Sequence, residues 1–383
     1  MLSPSEAQHR ILGLAPSLAK ETLPLRLCNQ RVLREDVKAL DSYPDVPRAR
    51  VDGYAIFLHR LASGETHFRL QAPASLASNI PAMMASDANA LRVNAGDALP
   101  LGADGVVPLQ AGRVSGHDVA VEVHPSWDAA DTVLARGAWA QPGQTLLEEG
   151  HLIQATHLAW MATTGVEEVV VSKPPRILAI ECGGTEPNAP ALWALEALWQ
   201  EWGSLDWDTL RVASPEEAWT SVRPNPGVDL IILLSRVNRA DPRDPLMTLL
   251  RQSGVELRVN GVLLVPGGDL LAARVDGVPL LVLPPDPLPA LACARRFVWP
   301  MLDRAAGIPA PVLRRLNLCG DVPAASDTTR LLPCRWSERG VESMPPLAGS
   351  EVASLVHTDG IMEVPPGPLA EGQSLLFFPW RRV

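Results

Sequence analysis

The sequence predicts a multidomain protein of the α/β-plus-β class, and three observations predict it. Between residues 173 and 308, buried-looking apolar runs alternate with helical stretches, the pattern of a parallel-sheet α/β domain. On either side, the chain breaks into short β-prone pieces punctuated by Gly, Pro, Asp and Asn. At 383 residues with 37 prolines, it is long enough for two to four domains and rich in turns.

The elements follow in order. Ser3-Pro4-Ser5-Glu6 fits a capping box with Pro4 at the first helical position. Ile11, Leu12, Ala15 and Leu18 then share a face, which predicts an amphipathic helix over residues 4 to 19. "LPLRL" (23–27) alternates in strand fashion, and residues 40 to 136 read as a small β domain. "QATHLAWMATTG" (154–165) is a helix stopped by glycine. "RILAIE" (176–181), "VDLIILLS" (228–235) and "VPLLVLPP" (278–285) are three buried strands. Helices at "APALWALEALWQEWG" (189–203), "PLMTLLRQSG" and "LPALACARRFVWPML" follow them. Ligands are expected at the carboxyl ends of such strands. Past Pro309 the chain returns to short strands and turns, a second β domain.

Composition narrows the function. A net charge of −10 argues against nucleic-acid binding and against a basic membrane-surface protein. No apolar run reaches membrane-span length, and "MLSPSEAQHRIL" lacks a basic signal region, so a soluble, cytoplasmic protein is expected. Five dispersed cysteines without a CxxC pair read as reduced thiols, and the eight histidines show no metal-ligand spacing. The lysines are Lys20, Lys38 and Lys173, so arginine supplies nearly all positive charge.

Several motifs together resemble the MoeA/gephyrin E-domain family, molybdopterin molybdenumtransferases of molybdenum-cofactor synthesis. They are "RARVDGYAI" (48–56), "VNAGDALPLGADGVVPLQ" (93–110) and "ARGAWAQPGQTLLEEGHLIQATHLAWMATTGVEEVVV" (135–171). "PPRILAIECGGTEP" (174–187), "VPGGDLLAARVDGVPLLVLPPDP" (265–287) and "LAGSEVASLVHTDGIMEVPPG" (347–367) continue the series nearly end to end. The resemblance implies an elongated fold. It has a linker domain (1–40 with 137–172), a β domain (41–136), a MogA-like parallel-sheet α/β domain (173–308) and a C-terminal β-barrel (309–383). It also implies a homodimer whose cleft lies between the α/β domain of one subunit and the β domain of the other. Molybdopterin or the molybdenum cofactor would be the ligand, with Mg²⁺ if the protein is active.

The same comparison shows a degenerate active site. Asp52 matches the acidic residue of the family's "MDGYA" motif, which makes it the candidate catalytic residue; an ordinary Asp-Gly turn is the alternative. The aspartate of the linker's "GED" falls on Trp139, and the "TGDEL" motif becomes Cys182-Gly183-Gly184-Thr185-Glu186. "GGVSVG" becomes Ser235-Arg236-Val237-Asn238-Arg239-Ala240, and "KPGKP" becomes Val265-Pro266-Gly267-Gly268-Asp269, with no lysine after Lys173 to restore it. "LPGNP" becomes Leu283-Pro284-Pro285-Asp286-Pro287, while the family's "GS" survives at Gly349-Ser350.

The cofactor-binding candidates are therefore Gly183, Gly184, Thr185, Glu186, Arg236, Arg239, Asp286 and Ser350. The glycine loop is either a phosphate cradle or a plain strand-to-helix turn. Arg236 and Arg239 are either anion anchors or partners of Asp241 and Asp244. Two functions stay open. One is a molybdopterin-binding, insertase-like biosynthesis protein with weak or lost activity. The other is a non-catalytic scaffold or chaperone contacting a molybdoenzyme or a cofactor-biosynthesis protein.

Overall fold

A computed structural model describes residues 1–71, 83–121, 129–184, 188–222, 227–310, 313–322, 327–344 and 351–382. The architecture is mixed α/β and β, with three six-stranded sheets and three two-stranded ribbons among these residues.

The α/β sheet has the strand order Asp206–Val212, Arg176–Cys182, Leu230–Leu234, Val278–Leu283, Leu271–Val275, Leu257–Asn260. The first four run parallel, and the last two add an antiparallel edge. The central strands read as unbroken apolar runs because both faces are covered. On one face Ala179, Ile232 and Leu281 pack against the helices Pro190–Trp202 and Pro287–Cys293. On the other, Ile180, Leu233 and Val282 pack against Pro215–Val222 and Pro245–Gln252.

Three strands of this sheet, Asp206–Val212, Leu271–Val275 and Leu257–Asn260, lie outside the sequence reading. Asp206–Val212 is an edge strand with one covered flank and mostly exposed side chains, so it carries no apolar run. Leu271–Val275 joins Val278–Leu283 through a two-residue hairpin, in which Asp276 and Gly277 both take positive φ, 49° and 88°.

The N-terminal helix spans Pro4–Leu12, shorter than the predicted 4 to 19, and its capping box forms as expected. Ala7 and Ile11 bury their side chains in the α/β core, and Leu2 bridges to Val262. "LPLRL" is not one strand: Lys20–Pro24 pairs antiparallel with Glu168–Ser172, and Leu25–Leu27 forms a 3₁₀ turn. The second ribbon, Val37–Lys38 with Thr145–Leu147, ties the same two chain segments, and Cys28, Leu33, Ile153, Met161 and Val171 form their shared core.

The first β unit has the order Gly105–Pro108, Gly53–Ile56, Asn89–Val93, His67–Gln71, Asp118–Val121, Gly112–Ser115. The C-terminal unit orders Leu264–Val265, Thr329–Ser337, Gly360–Val364, Ser374–Pro379 and Arg315–Asn317, with Gly340–Ser343 paired to Thr329–Ser337. A bridge from Leu318 to Val341 brings its far strand back against this branch.

Buried ion pairs join the C-terminal unit to the α/β unit. Arg296 donates from Nε to Glu363 at 2.6 Å and from Nη1 to Gln8 at 2.8 Å. Asp303 accepts from Trp202 Nε1 at 3.0 Å and from Arg382 at 2.6 Å. Both acids are largely desolvated and paired with arginine, so these contacts help fix how the units dock.

Candidate functional site

The parallel strands end at one edge of the α/β sheet, where their connections leave room for a ligand. Register aligns Glu181 with Arg211 and with Leu234, and Leu234 with Leu283. In consequence Arg211, Glu181–Cys182, Ser235–Arg236 and the segment after Leu283 stand side by side at this edge.

Glu181 is 6% exposed and accepts a charge-assisted hydrogen bond from Arg211 Nε at 2.6 Å. Gly184 rests on this pair. A Cβ added there would lie 2.9 Å from Arg211 Nη2 and 2.9 Å from Glu181 Oε2, so the pair occupies the space a side chain would need. Gly183 takes φ +72° and donates its N–H to Val212. Thr185 and Glu186 lie outside the described residues, as does Ser350.

Ser235 is buried beside Cys182. Burial pushes the Cys182 thiol up, and the hydrogen bond with Ser235 opposes that rise. This thiol is therefore a packed group at the edge rather than an activated nucleophile.

The two candidate arginines have different fates. Arg239 is 18% exposed and donates to Asp269 at 3.1 Å and to the Asn260 carbonyl at 3.3 Å. It lies flat over Gly261, where a Cβ would come within 2.1 Å of its guanidinium. The expected partners Asp241 and Asp244 serve elsewhere: Asp244 caps the helix Pro245–Gln252 through Met247 N, and Asp241 accepts from Arg243 N. Arg236 is 85% exposed and faces Asp286 at 3.7 Å, a loose surface pair that holds neither side chain firmly. Asp286 is the N-cap residue of Pro287–Cys293, although its side chain makes no cap hydrogen bond.

Asp52 belongs to the first β unit. Its Oδ1 accepts from Ala95 N at 2.8 Å, and its carbonyl accepts from Leu109 N at 3.1 Å. The side chain thus supports the turn at Asn94–Asp97 and remains exposed. Gly53 is not a turn glycine: it begins the strand Gly53–Ile56, between two antiparallel neighbours, and its φ is not positive. Glycine is required there because a Cβ would lie 2.0 Å from the Val107 carbonyl. Asp52 and the α/β edge therefore stand on separate units of the chain.

Trp139 is 55% exposed, with its ring centroid 5.4 Å from Tyr43, which in turn meets Trp160 edge-on at 5.8 Å. Trp199 and Trp202 are core residues, whereas Trp193 on the same helix is 58% exposed. Glu181 and Arg211 escaped the sequence reading, since Arg211 sits on the unrecognised edge strand. The available signal was the charge alternation in "DWDTLR" after Gly203.

A cavity of about 520 Å³ lies elsewhere, between the N-terminal helix, the helix Trp299–Ala306 and the C-terminal unit. Its walls include Leu12, Ile308, Leu313 and Phe378, and it holds none of the candidate residues. Size alone does not outweigh the convergence of glycine backbone and arginines at the strand ends.

Residues 2–165 match the family described as the MoeA N-terminal region, domains I and II. A molybdopterin biosynthesis MoeA protein from Pyrococcus horikoshii superposes over 100% of both chains at 20% identity, with a TM-score of 0.76. A second structure of a molybdopterin biosynthesis MoeA protein, from Pyrococcus horikoshii OT3, covers 99% of this chain and 100% of its own at 18% identity and TM-score 0.77. A molybdenum cofactor biosynthesis protein from Pyrococcus furiosus matches over 98% of each chain at 15% identity and TM-score 0.59.

Proposed function

We propose, because residues 2–165 match the MoeA N-terminal region and the whole chain carries the fold of solved MoeA proteins, that it acts in molybdenum-cofactor biosynthesis as a molybdopterin or molybdenum-cofactor binding protein with weak or lost insertase activity. The observation that carries this reading is the state of the strand-end edge. Gly183 is kept and Gly184 stands where the family has an aspartate, while Arg239 is bound into structure and Glu181 is paired with Arg211. Molybdate insertion demands anion donors and a carboxylate-held Mg²⁺. This edge supplies guanidinium groups, and the carboxylate described among its strand residues, Glu181, is paired.

A homodimer is part of the proposal: Asp52 and the strand ends stand on separate units of one chain, and the family resemblance implies a cleft built between two copies. A cytoplasmic site of action fits the reduced cysteines, and no described helix is long and apolar enough to cross a membrane.

One observation favours the scaffold reading. Trp139 presents an exposed indole, backed by Tyr43 and Trp160, where the family places a carboxylate. Such a rigid aromatic surface suits contact with a molybdoenzyme or a cofactor-biosynthesis protein.

Complementation of an insertase-deficient strain separates the readings. The proposal expects little or no rescue by the wild type and none gained by Trp139→Asp, with growth at most marginal on molybdoenzyme-dependent medium. Full rescue by the wild type overturns the claim of weak or lost activity.

A further inference from the structure

We propose that the open side of the α/β sheet, strand Asp206–Val212, takes up an extended basic segment of a partner protein as an added antiparallel strand. This goes beyond the molybdopterin-binding reading, which concerns the strand ends and not this side of the sheet.

The backbone is ready for such a strand. Asp206–Val212 closes the sheet on one side, and its register with Arg176–Cys182 runs unbroken over 7 residues. Asp206 N donates to the Pro175 carbonyl and Gly183 N to the Val212 carbonyl, so Asp206, Asp208, Leu210 and Val212 turn their peptide groups inward. Trp207 and Thr209 turn theirs outward, and nothing among the described residues meets those groups. An antiparallel newcomer would exchange a pair of hydrogen bonds with each. Protected edges are short, bulged or covered. This one is long, unbulged and, among the described residues, uncovered.

Side chains select the occupant. Alternation puts Asp206, Asp208, Leu210 and Val212 on the face toward the helix Pro215–Val222, with Val212 against its core. A groove of about 450 Å³ lies beside Leu210 and Val212, and Glu216 and Glu217 form its far wall. Leu210 is 38% exposed there, an apolar contact left uncovered. Asp208 only loosely faces the half-exposed Arg176, at 3.9 Å, so this side of the sheet is acidic. Residues directly opposite in an antiparallel pair share a face and interact. The fitting partner therefore sets an apolar residue opposite Leu210 and basic residues opposite Asp208 and Asp206. Read in its own direction it runs apolar-x-basic-x-basic, and a basic residue two positions earlier reaches Glu216. A second copy fits worse, because pairing Trp207 with Thr209 across a twofold axis sets Asp208 against Asp208.

The test is fluorescence anisotropy of the labelled peptide GKTVTKTKG titrated with the full chain, beside GETVTETEG, which reverses its charge. The basic peptide is expected to bind at least about tenfold more tightly, through its summed cross-strand charge pairs, and to weaken with salt. Thr209→Pro removes an outward N–H that the sheet does not use, and proline is tolerated on that side of an edge strand. It is expected to weaken the basic peptide at least about tenfold. Asp208→Lys combined with Glu216→Lys leaves the backbone as it is and is expected to reverse the preference, so that the acidic peptide binds better. Failure of the basic peptide to bind, equal binding of the two peptides, or binding untouched by Thr209→Pro overturns the inference. A wild-type assembly that sediments as larger than the Thr209→Pro protein would make a second copy the occupant and overturn it as well. None of these outcomes bears on bound pterin, so the molybdopterin reading stands or falls separately.

Discussion

Gly53→Ala offers a sharp check on the reading of the motif "VDGYA". The new Cβ would sit 2.0 Å from the Val107 carbonyl oxygen, 2.8 Å from Val106 Cγ1 and 2.9 Å from the Val107 carbonyl carbon. Contacts under 3.0 Å do not persist, so the strands must part by about 1 Å at this point. Gly53–Ile56 is paired on both sides, with Gly105–Pro108 and Asn89–Val93, and the clashing edge strand Gly105–Pro108 can withdraw only by breaking its ladder with Gly53–Ile56. Overpacking costs about 1–3 kcal/mol and each weakened ladder hydrogen bond about 1 kcal/mol, which together come to about 3 kcal/mol. A chain of several units does not unfold in one step, so the effect is best read locally by hydrogen exchange with mass spectrometry. Amides of 53–56, 89–93 and 105–108 should exchange about a hundredfold faster in the variant, the rate equivalent of about 3 kcal/mol. Gly143→Ala is the control. Its φ is +84° but nothing lies within 4 Å, so it should cost about 1 kcal/mol and leave this sheet untouched. Exchange in the three strands unchanged by Gly53→Ala would refute the close-approach argument.

Two further perturbations probe the packing of the fold away from the site. Glu363→Ala strips the carboxylate from Arg296, which is 7% exposed, and should cost about 3–5 kcal/mol, read as a lowered thermal midpoint; the apolar pair Arg296→Met with Glu363→Leu should recover most of it. Burial pushes the Cys293 thiol up to about 12 from 9.0, so the folded chain keeps a proton that the unfolded chain loses between those values. That stabilisation is complete below pH 9 and is lost as pH rises toward 12, at about 1.4 kcal/mol per pH unit. The unfolding free-energy gap between wild type and Cys293→Ala, measured in urea at pH 9 and pH 10, should shrink by about 1 kcal/mol, since the unfolded thiol is already half ionised at pH 9; a constant gap contradicts the burial argument.

The two Asp-Gly pairs show what was and was not legible in the sequence. Asp52-Gly53 looked like a turn from its residue types, yet the glycine serves a close strand approach that depends on Val107, over fifty residues away. Asp276-Gly277 is a true hairpin turn between Val275 and Val278, and its local signal was there to be read. The central strands were legible because burial on both faces leaves an apolar run, as at Leu230–Leu234. The edge strand Asp206–Val212 was not, because exposure lets charged residues in. Site residues divided in the same way. The glycine loop and Arg236 could be found from motif position, but the fate of Arg239 depended on Gly261 and Asp269, which no local pattern connects to it. The Glu181–Arg211 pair required the register of two parallel strands.

The most direct test of the central claim is the pterin content of the protein itself. The chain is co-expressed with the enzymes that make molybdopterin, purified, and its bound pterin is released, oxidised and quantified by fluorescence. Molybdopterin approaching one equivalent per chain, falling about tenfold in Arg236→Ala, is the predicted result. A wild-type protein that carries no pterin above a control chain of unrelated fold, and shows no affinity for it when titrated, would contradict the account.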